Sequence, residues 1–441
     1  MAMTDKEYYG EVSTDSSLIR EMLNLIPREK YEDPSLCWLD PACGYGNFMK
    51  ILSVRLFHSL KTIFPNAAAR RRHIYENMLF MVEINKKRIP YLEQAFPGAH
   101  ITCQDFLDYK GEFDIIIGNP PFNCQGLKKV PTNTTRSKKT DGKTIWPAFI
   151  RHAFSLLREG GLLSMITPSI WMKPDKAGIY DLLTGKTCQL KKIRCFTNTE
   201  TNRLFHGHAQ TPTCYFLIKK AESKMSISLY EINVKRYIPY LLLQQNQPLP
   251  VFGASVFAKL QPYVIKVGSP TFIKTSMPSK HTVLRAERCI DASYCNIRTC
   301  ILAQKTPMLV HEYSDHPLTF YGQSKLILAH KMYGFPFYDV SGKYGISRRD
   351  NYVMVGKSRE EFKKWHAFLS TTFALYIFEG TRYRMKYLEK YVFELIPDIL
   401  KLDDFPTIIN DNTIADYFQL TDIERKAIER LHTKNYTFFP F

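Results

Sequence analysis

Short apolar runs and amphipathic runs alternate along the chain between residues 35 and 168. The apolar runs have the length of buried strands, and the amphipathic runs have the spacing of helices. This alternation predicts an α/β fold, with a parallel sheet and helices on both faces. The predicted strands are 35–40, 78–84, 99–106, 113–122 and 162–168, and the predicted helices are 14–26, 46–63, 85–96 and 146–161, the last ended by two glycines.

Polar side chains stand at the ends of four predicted strands. Asp40 ends the first, Glu83 the second and Asp105 the third, while Asn119 opens the run NPPF at the end of the fourth. Ligands of parallel sheets bind at the carboxyl ends of the strands. We therefore expect these four side chains to face one ligand site.

The run LDPACGYGNF (39–48) joins the first strand to a helix. Its glycines permit a tight turn with a close backbone approach to a ligand. The run lacks the GxGxxG pattern of a phosphate cradle, so it could wrap the amino-acid end of a small zwitterion, or be an ordinary turn. Glu83 could accept both ribose hydroxyls of a nucleoside, or cap a helix in solvent. Asp105 could accept from an adenine amino group while Phe106 stacks on the ring.

The run NPPF suits methylation of a planar amine. The prolines lack N–H donors, so their carbonyls are free to accept. An amino group held between the Asn119 side chain and the Pro120 carbonyl is pushed towards a tetrahedral geometry, which improves it as a nucleophile towards a sulfonium methyl. Phe122 offers a flat face on which a base can stack. The alternative is a structural turn after a strand.

The runs DPACGYGNF, VEIN, DFL and NPPF, in this order, resemble the γ group of amino-methyltransferases. This group includes many adenine methyltransferases of bacterial and viral restriction–modification systems. The resemblance is close over residues 8–220 and loose beyond. It implies a Rossmann-like S-adenosylmethionine-dependent methyltransferase domain at 1–220 and a C-terminal α+β target-recognition domain at 221–441. The implied activity is site-specific adenine-N6 methylation of a flipped-out base in duplex DNA, with S-adenosyl-L-methionine as the cofactor.

The resemblance also assigns residues by position. The catalytic residues it implies are Asn119, Pro120, Pro121 and Phe122. The cofactor-binding residues it implies are Thr14, Asp40, Ala42, Cys43, Gly44, Glu83, Ile84, Asp105, Phe106 and Phe149. Thr14 matches the usual threonine of the first motif, although Asp15 replaces the proline that normally follows. Phe205 would pack edge-on against the flipped base, beside Phe122. Core packing is the alternative for Phe149 and Phe205.

The second domain lacks the strand–helix rhythm of the first. A polar stretch begins near residue 220, where we place the boundary. We expect a strand-rich run at 324–340, a strand at 352–356 and a helix at 360–380, which is an α+β pattern. The segment at 381–399 resembles the closing part of recognition domains in the same family.

The chain is strongly basic, with a net charge of +18 that both halves share. Such a charge suits a polyanionic partner, here double-stranded DNA. The basic loop at 123–143 could close over DNA phosphates, or be a solvated surface loop. The candidate DNA-binding residues are Lys128, Lys129, Lys138, Lys139, His330, Lys331, Arg348, Arg349, Arg382 and Arg384.

The ten cysteines form no CxxC pair, so the sequence gives no support for a zinc site, and we expect no metal. Several lie in apolar runs, which favours reduced, buried thiols. No apolar run reaches the length of a membrane helix, and the polar N-terminus lacks the core of a signal peptide. We expect a soluble protein that is cytoplasmic, or wherever the DNA is, without a membrane partner.

Several alternatives share the NPPF motif. Enzymes that methylate amino groups of RNA, or glutamine of release factors, also present a planar amine or amide. A cytosine-N4 enzyme more often carries Ser where Asn119 stands. A non-catalytic DNA-binding module on the same fold is a further alternative, although the Asn and the glycines are intact. A cognate restriction endonuclease would act as a separate partner, because the chain begins with the cofactor motif and carries no convincing PD…(D/E)xK run.

Overall fold

The computed structural model describes residues 8–10, 12–125, 143–207, 209, 211–243, 246–303, 306–330, 335–383 and 388–431. The chain divides into two compact units. The first comprises Met1–Tyr230 with Pro239–Asn246, and the second comprises Glu231–Ile238 with Gln247–Phe441. No helix of the described ranges is long and apolar enough to cross a membrane.

Among the described residues, nine strands form one large sheet, and two further short strands pair with each other. The strands of this region are β1 (Trp38–Asp40), β2 (Leu79–Glu83), β3 (His100–Cys103), β4 (Phe113–Gly118), β5 (Asn123–Cys124), β6 (Lys143–Thr144), β7 (Leu157–Pro168), β8 (Cys188–Phe196), β9 (Thr213–Lys220), β10 (Ser226–Glu231) and β11 (Arg236–Leu241). The helices are α1 (Ser16–Leu23), α2 (Glu29–Glu32), α3 (Asn47–Ser59), α4 (Ala67–His73), α5 (Ile89–Ala95), α6 (Trp146–Leu156), α7 (Ile179–Thr184) and α8 (Asn198–Leu204).

The sheet order is β11-β10-β8-β9-β7-β4-β1-β2-β3. Strands β7, β4, β1, β2 and β3 are parallel neighbours, which confirms the α/β sheet that the alternating runs predict. Beyond these predicted strands the sheet is mixed, because β9 runs antiparallel between β7 and β8. The parallel part carries the predicted strand ends on one edge.

Near α1 the structure shows the local role of Asp15, and near β7 one local prediction is wrong. Asp15 caps α1, because its carboxylate accepts from the backbone N–H of Ser17 at 2.7 Å. The residue that replaces the family's proline therefore has a local role. The predicted helix at 146–161 stops at Leu156, and β7 begins at once. Gly160, with φ +79°, does not end the helix but lies in β7, where the pairing with β4 is irregular.

The second unit is a mixture of sheets and helices, as the α+β expectation has it. Its strands are β12 (Ile273–Lys274), β13 (Leu284–Arg285), β14 (Tyr294–Ala303), β15 (Thr306–Ser314), β16 (Lys325–Ala329), β17 (Phe337–Asp339), β18 (Gly345–Ile346) and β19 (Asn351–Met354). They form two four-stranded sheets. Its helices are α9 (Ala254–Val267), α10 (Arg359–Leu369), α11 (Thr372–Gly380), α12 (Asp411–Tyr417) and α13 (Asp422–Glu429). The helix predicted at 360–380 is thus two helices, because Thr371 caps a new start.

A buried ion pair ties β16 to β17. The Lys325 Nζ lies 2.5 Å from the Asp339 Oδ2, and the two side chains are 0% and 2% exposed. The ammonium also donates to the carbonyls of Phe320 and Gln323, at 3.1 Å each. Asp339 accepts from two backbone N–H groups of the turn that follows β17. Both charges are therefore fully hydrogen-bonded, which is the condition under which a buried pair is tolerated.

All ten cysteines are free thiols. Only Cys103, at the end of β3, and Cys289, in the second unit, are exposed. Burial raises the pKa of the Cys188 thiol to about 12, so this side chain is not a reactive thiolate at neutral pH. In the described ranges, no group of three or more His, Cys, Asp or Glu side chains could hold a metal ion.

Candidate active site

Asp40 is a buried carboxylate with one unused oxygen. It ends β1, is 1% exposed, and its Oδ1 accepts from the Ala42 backbone N–H at 3.2 Å. Its Oδ2 is buried and receives no hydrogen bond from the part of the chain that the structure describes. Burial raises the pKa of Asp40 to about 7, and the negative charge of Glu83 adds to the shift. A buried acceptor without a donor indicates a site for a polar ligand group.

The turn after β1 is built from backbone rather than side chains. Gly44 and Gly46 have φ values of 55° and 70°, which favour glycine. A Cβ on Gly46 would lie 2.6 Å from the Phe96 ring, so this position excludes a side chain. The Cys43 N–H donates to the Val82 carbonyl at 3.0 Å, which fastens the turn to β2. Cys43 is buried, burial raises its thiol pKa well above its ordinary value, and its carbonyl accepts from the Gly46 N–H at 2.8 Å, so its role as a cofactor ligand stays a prediction.

Glu83, the last residue of β2, is buried and ion-paired. Its Oε1 accepts from the Asn85 backbone N–H at 2.7 Å, and its Oε2 lies 3.4 Å from the Arg88 guanidinium. That guanidinium also lies over the Tyr45 ring, at 4.9 Å from its centroid. The alternative of a solvent-exposed helix cap at Glu83 is wrong, because Asn85 provides the cap. Arg88 was missed from the sequence, where the KKR run at 86–88 is typical of a solvated charge cluster.

The predicted adenine pocket is formed in part. Ile84, directly after β2, is 47% exposed and offers an apolar surface. Asp105 is exposed, and its Oδ1 accepts from the Leu107 backbone N–H at 2.9 Å. Phe106 and Phe149 are both buried and pack against each other, with ring centroids 5.1 Å apart. The core alternative accounts for the packing of these two rings, and adenine stacking on Phe106 stays a prediction.

Asn119 is held by the N-terminal segment. Its Nδ2 donates to the Thr14 Oγ1 at 3.0 Å and to the Val12 carbonyl at 3.3 Å. The same segment contacts the strand that follows NPPF, because the Gln125 N–H donates to the Tyr8 carbonyl at 3.0 Å. Gly10, at φ +70°, passes so close to the Asn123 carbonyl that a Cβ there would clash. The N-terminal motif and the NPPF run therefore form one structure.

The end of β4 lies directly against the end of β1. A Cβ on Gly118 would be 2.8 Å from the Asp40 Oδ1 and 3.2 Å from the Pro41 ring, so only glycine fits here. Asn119 follows immediately, which places the NPPF run beside the Asp40 carboxylate. Pro120 is buried, while Pro121 and Phe122 are half-buried. The structure thus brings the predicted catalytic run to the edge of the sheet that carries Asp40 and Glu83.

The segment that contains most of these strand ends has known relatives. Residues 49–205 match the model of the Eco57I restriction-modification methylase family. The type II methyltransferase M.TthHB8I of Thermus thermophilus is 32% identical over 179 residues, covering 38% of this chain and 36% of the relative. An uncharacterized adenine-specific methylase of Mycoplasma pneumoniae is 35% identical over 253 residues, covering 39% of this chain and 58% of the relative. The predicted resemblance to restriction–modification methyltransferases is confirmed over this segment.

The match with these relatives is partial in length. The chain spans 36% and 58% of the two curated relatives. Among solved structures, the type IIG restriction endonuclease BpuSI aligns with 96% of this chain and 66% of its own, at 14% identity and a TM-score of 0.43. The sequence match to the Eco57I family includes Glu83, Asp105 and Asn119, but neither Thr14 nor Asp40.

Phe205 lies in the family-matched segment but not at an open surface. Its side chain is 1% exposed, where α8 ends. Edge-on contact with a base requires an accessible ring edge, and this conformation does not offer one. The burial favours the core alternative for Phe205. Among the described aromatics of the predicted set, Phe122 is the half-buried ring next to Asn119.

Most of the candidate DNA-binding residues either form ion pairs within the protein or lie outside the described residues. Arg348 forms a two-pronged ion pair with Glu312, at 2.7 and 3.0 Å, and Arg382 pairs with Glu379 at 3.1 Å. In this conformation both guanidinium groups are paired with acids of the second unit, and the DNA contacts of Arg348 and Arg382 stay predictions. Arg349 is exposed and His330 is half-buried, and their DNA contacts stay predictions. Outside the described residues lie Lys128, Lys129, Lys138, Lys139, Lys331 and Arg384.

The residues at this edge fit S-adenosyl-L-methionine. The unused Asp40 oxygen can accept from an ammonium or from water, and the glycine turn allows close approach of the amino-acid end. Glu83 supplies a carboxylate that could accept from ribose hydroxyls, and exposed Ile84 can cover one face of an adenine ring. Asp40 and Glu83 could be singled out from the sequence because each of them ends a strand.

Proposed function

We propose that this protein is a site-specific DNA adenine-N6 methyltransferase of a restriction–modification system, with S-adenosyl-L-methionine as its methyl donor. The observation that carries the proposal is the packing of Gly118, which ends β4 directly before Asn119 and Pro120, against the buried Asp40 at the end of β1. This arrangement puts an amine-binding motif beside a cofactor-sized set of polar groups. The family match over residues 49–205 supports the same reaction class.

The chain's own residues would orient the acceptor amine. The cofactor supplies an electrophilic methyl group on a sulfonium. Asn119 Oδ1 and the Pro120 carbonyl accept the two N–H bonds of the adenine amino group, which directs the nitrogen lone pair away from both oxygens. Phe122 stacks on the base. Since the donor is already activated, positioning and electrostatics supply the rate enhancement.

Duplex DNA is the proposed substrate, so the base must leave the helix. Flipping costs a few kcal/mol, which stacking and hydrogen bonds in the pocket offset. The net charge of +18 favours a polyanionic substrate, and the second unit is the proposed target-recognition domain. A separately acting cognate restriction endonuclease is the proposed functional partner, and the protein would act in whichever compartment holds the DNA.

A labelled-methyl transfer experiment tests this proposal directly. Purified protein would be incubated with methyl-labelled cofactor and, in parallel, duplex DNA, structured RNA and a mixed protein substrate. We expect label in DNA alone, recovered as N6-methyladenine after digestion to nucleosides. Label recovered as N4-methylcytosine, or in RNA or protein, would contradict the adenine assignment. Modification-aware sequencing of DNA from cells that express the protein would then give the target sequence.

Cofactor binding should depend on pH through Asp40. Burial raises the pKa of Asp40 to about 7, so the group is largely protonated at pH 6. If the ionised form binds the cofactor ammonium, the dissociation constant should rise about tenfold per pH unit below pH 7 and level off above about pH 8. Calorimetry with S-adenosylhomocysteine from pH 5.5 to 8.5 would measure it. The Asp40→Asn variant is the control and should show a flat, weak profile; a wild-type affinity independent of pH would remove Asp40 from this role.

A further inference from the structure

The Asn119 amide has two chemically different ends, and its surroundings distinguish them. Its Nδ2 lies 3.0 Å from the Thr14 Oγ1 and 3.3 Å from the Val12 carbonyl oxygen. A hydroxyl can accept or donate, but a backbone carbonyl can only accept. The amide end that faces both groups must therefore be the NH₂.

Rotation of the amide by half a turn would place Oδ1 against the Val12 carbonyl. Two acceptors would then face each other without a proton between them, and the bond to Thr14 would have to reverse direction. The segment at 12–14 thus keeps Oδ1 on the opposite side. That orientation matters chemically, because an NH₂ aimed at an acceptor amine would donate to its lone pair and make it a poorer nucleophile.

The Thr14 hydroxyl is held from both sides along the chain. On one side, Asp15 caps α1, whose Leu18 and Ile19 are buried. On the other, Gly10 lies against the Asn123 carbonyl, beyond the NPPF run. Thr14 itself is 8% exposed. Its hydroxyl is therefore fixed relative to Asn119 before any ligand binds.

We propose that Thr14 is a positioning residue for Asn119, which selects the amide orientation that accepts the substrate amine, and that its effect on methyl transfer is exerted through Asn119 rather than through the cofactor. The inference rests on the proposed methyl-transfer function. It differs from the cofactor-binding role that the family pattern implies for Thr14, and it rests on a hydrogen bond between residues 105 positions apart.

The Thr14→Val variant tests this role, since valine keeps the shape and removes the hydroxyl. We expect kcat on duplex DNA at saturating cofactor to fall about tenfold or more, as Asn119 loses one of its two anchors. KM for the cofactor and the dissociation constant of S-adenosylhomocysteine should stay within about twofold. Thr14→Ser should restore kcat, because it restores the hydroxyl.

Thr144→Val is the matched control. Its hydroxyl lies 3.4 Å from the Asn123 Oδ1, in the short strand pair beside NPPF, but does not contact Asn119. It should keep kcat. Should Thr14→Val fold poorly, Thr14→Ala gives the same comparison, with S-adenosylhomocysteine binding as the check of folding. A Thr14 variant with unchanged kcat, or with only a weakened cofactor affinity, would overturn the inference. A wild-type protein that methylates no DNA would instead overturn the proposed function.

Discussion

Replacement of Asn119 by Ala should reduce methyl transfer by about two to three orders of magnitude, the size of loss seen when one positioned polar group is removed from an active site. The side chain supplies the carbonyl oxygen that we propose accepts an N–H bond of the substrate amine. Alanine retains the backbone after β4 but removes this acceptor. Single-turnover transfer to duplex DNA at saturating cofactor measures the loss.

Cofactor binding should survive this substitution. The Asn119 side chain donates to Thr14 and to the Val12 carbonyl, and it forms no hydrogen bond with Asp40 or Glu83 among the described residues. S-adenosylhomocysteine should therefore bind to Asn119→Ala within about twofold of wild type. Asn123→Ala, directly after the NPPF run at the start of β5, is a matched control and should retain activity. Full activity in Asn119→Ala would contradict the assignment of NPPF as the site of methyl transfer.

Lys325→Met should lower the free energy of unfolding by about 3–5 kcal/mol. The substitution keeps the length of the aliphatic chain but leaves the Asp339 carboxylate, 2% exposed, without its cation. Removal of one partner of a buried pair costs more than the pair contributes, because an uncompensated charge remains. Urea unfolding followed by tryptophan fluorescence measures the change. We expect the unfolding transition of the second unit to shift to a lower urea concentration.

Two further variants separate this effect from a general one. Lys363→Ala removes a cation from an exposed pair with Glu360, whose side chains are 54% and 75% exposed, and should leave stability nearly unchanged because solvent screens the pair. The double variant Lys325→Met with Asp339→Asn should recover part of the loss, since both charges are gone while the amide oxygen can still accept from the turn after β17. Equal stability of Lys325→Met and wild type would show that the pair does not support the sheet.

The polar residues at the strand ends were predictable because each one is marked by the apolar run directly before it. Asp40, Glu83 and Asn119 each close an apolar run, and parallel strands bring such ends to one edge by topology alone. The glycine turn was predictable for the same reason, since Gly44 and Gly46 take positive φ values. These parts of the fold and the site need no knowledge of distant partners.

The remaining features depend on partners that the sequence does not reveal. The bond from Asn119 to Thr14 spans 105 positions, and the pair of Arg348 with Glu312 spans 36. A charged residue in a basic run is predicted to be solvated, yet Arg88 is buried against Glu83. The paired glycines at 160–161 also failed as a signal, because α6 already ends at Leu156 and the glycines lie in β7.

The reverse orientation of β9 and the burial of Phe205 escaped prediction on similar grounds. The hydrophobic period and the length of an apolar run identify a strand. They do not give its direction, which is set by how the chain returns to the sheet. A phenylalanine suits a core and a binding pocket equally well, and only packing distinguishes them. Its 1% exposure places the ring in the core of this conformation.

The distribution of thiols makes this protein convenient for spectroscopy. Cys103 and Cys289 are the two exposed cysteines, and they lie in different compact units. Maleimide dyes should modify these two first, since the other eight thiols are half-buried or buried. A donor and an acceptor fluorophore introduced in this way would report energy transfer between the units without any added cysteine. The change in that signal when DNA is titrated in would show whether the two units move relative to each other during substrate binding.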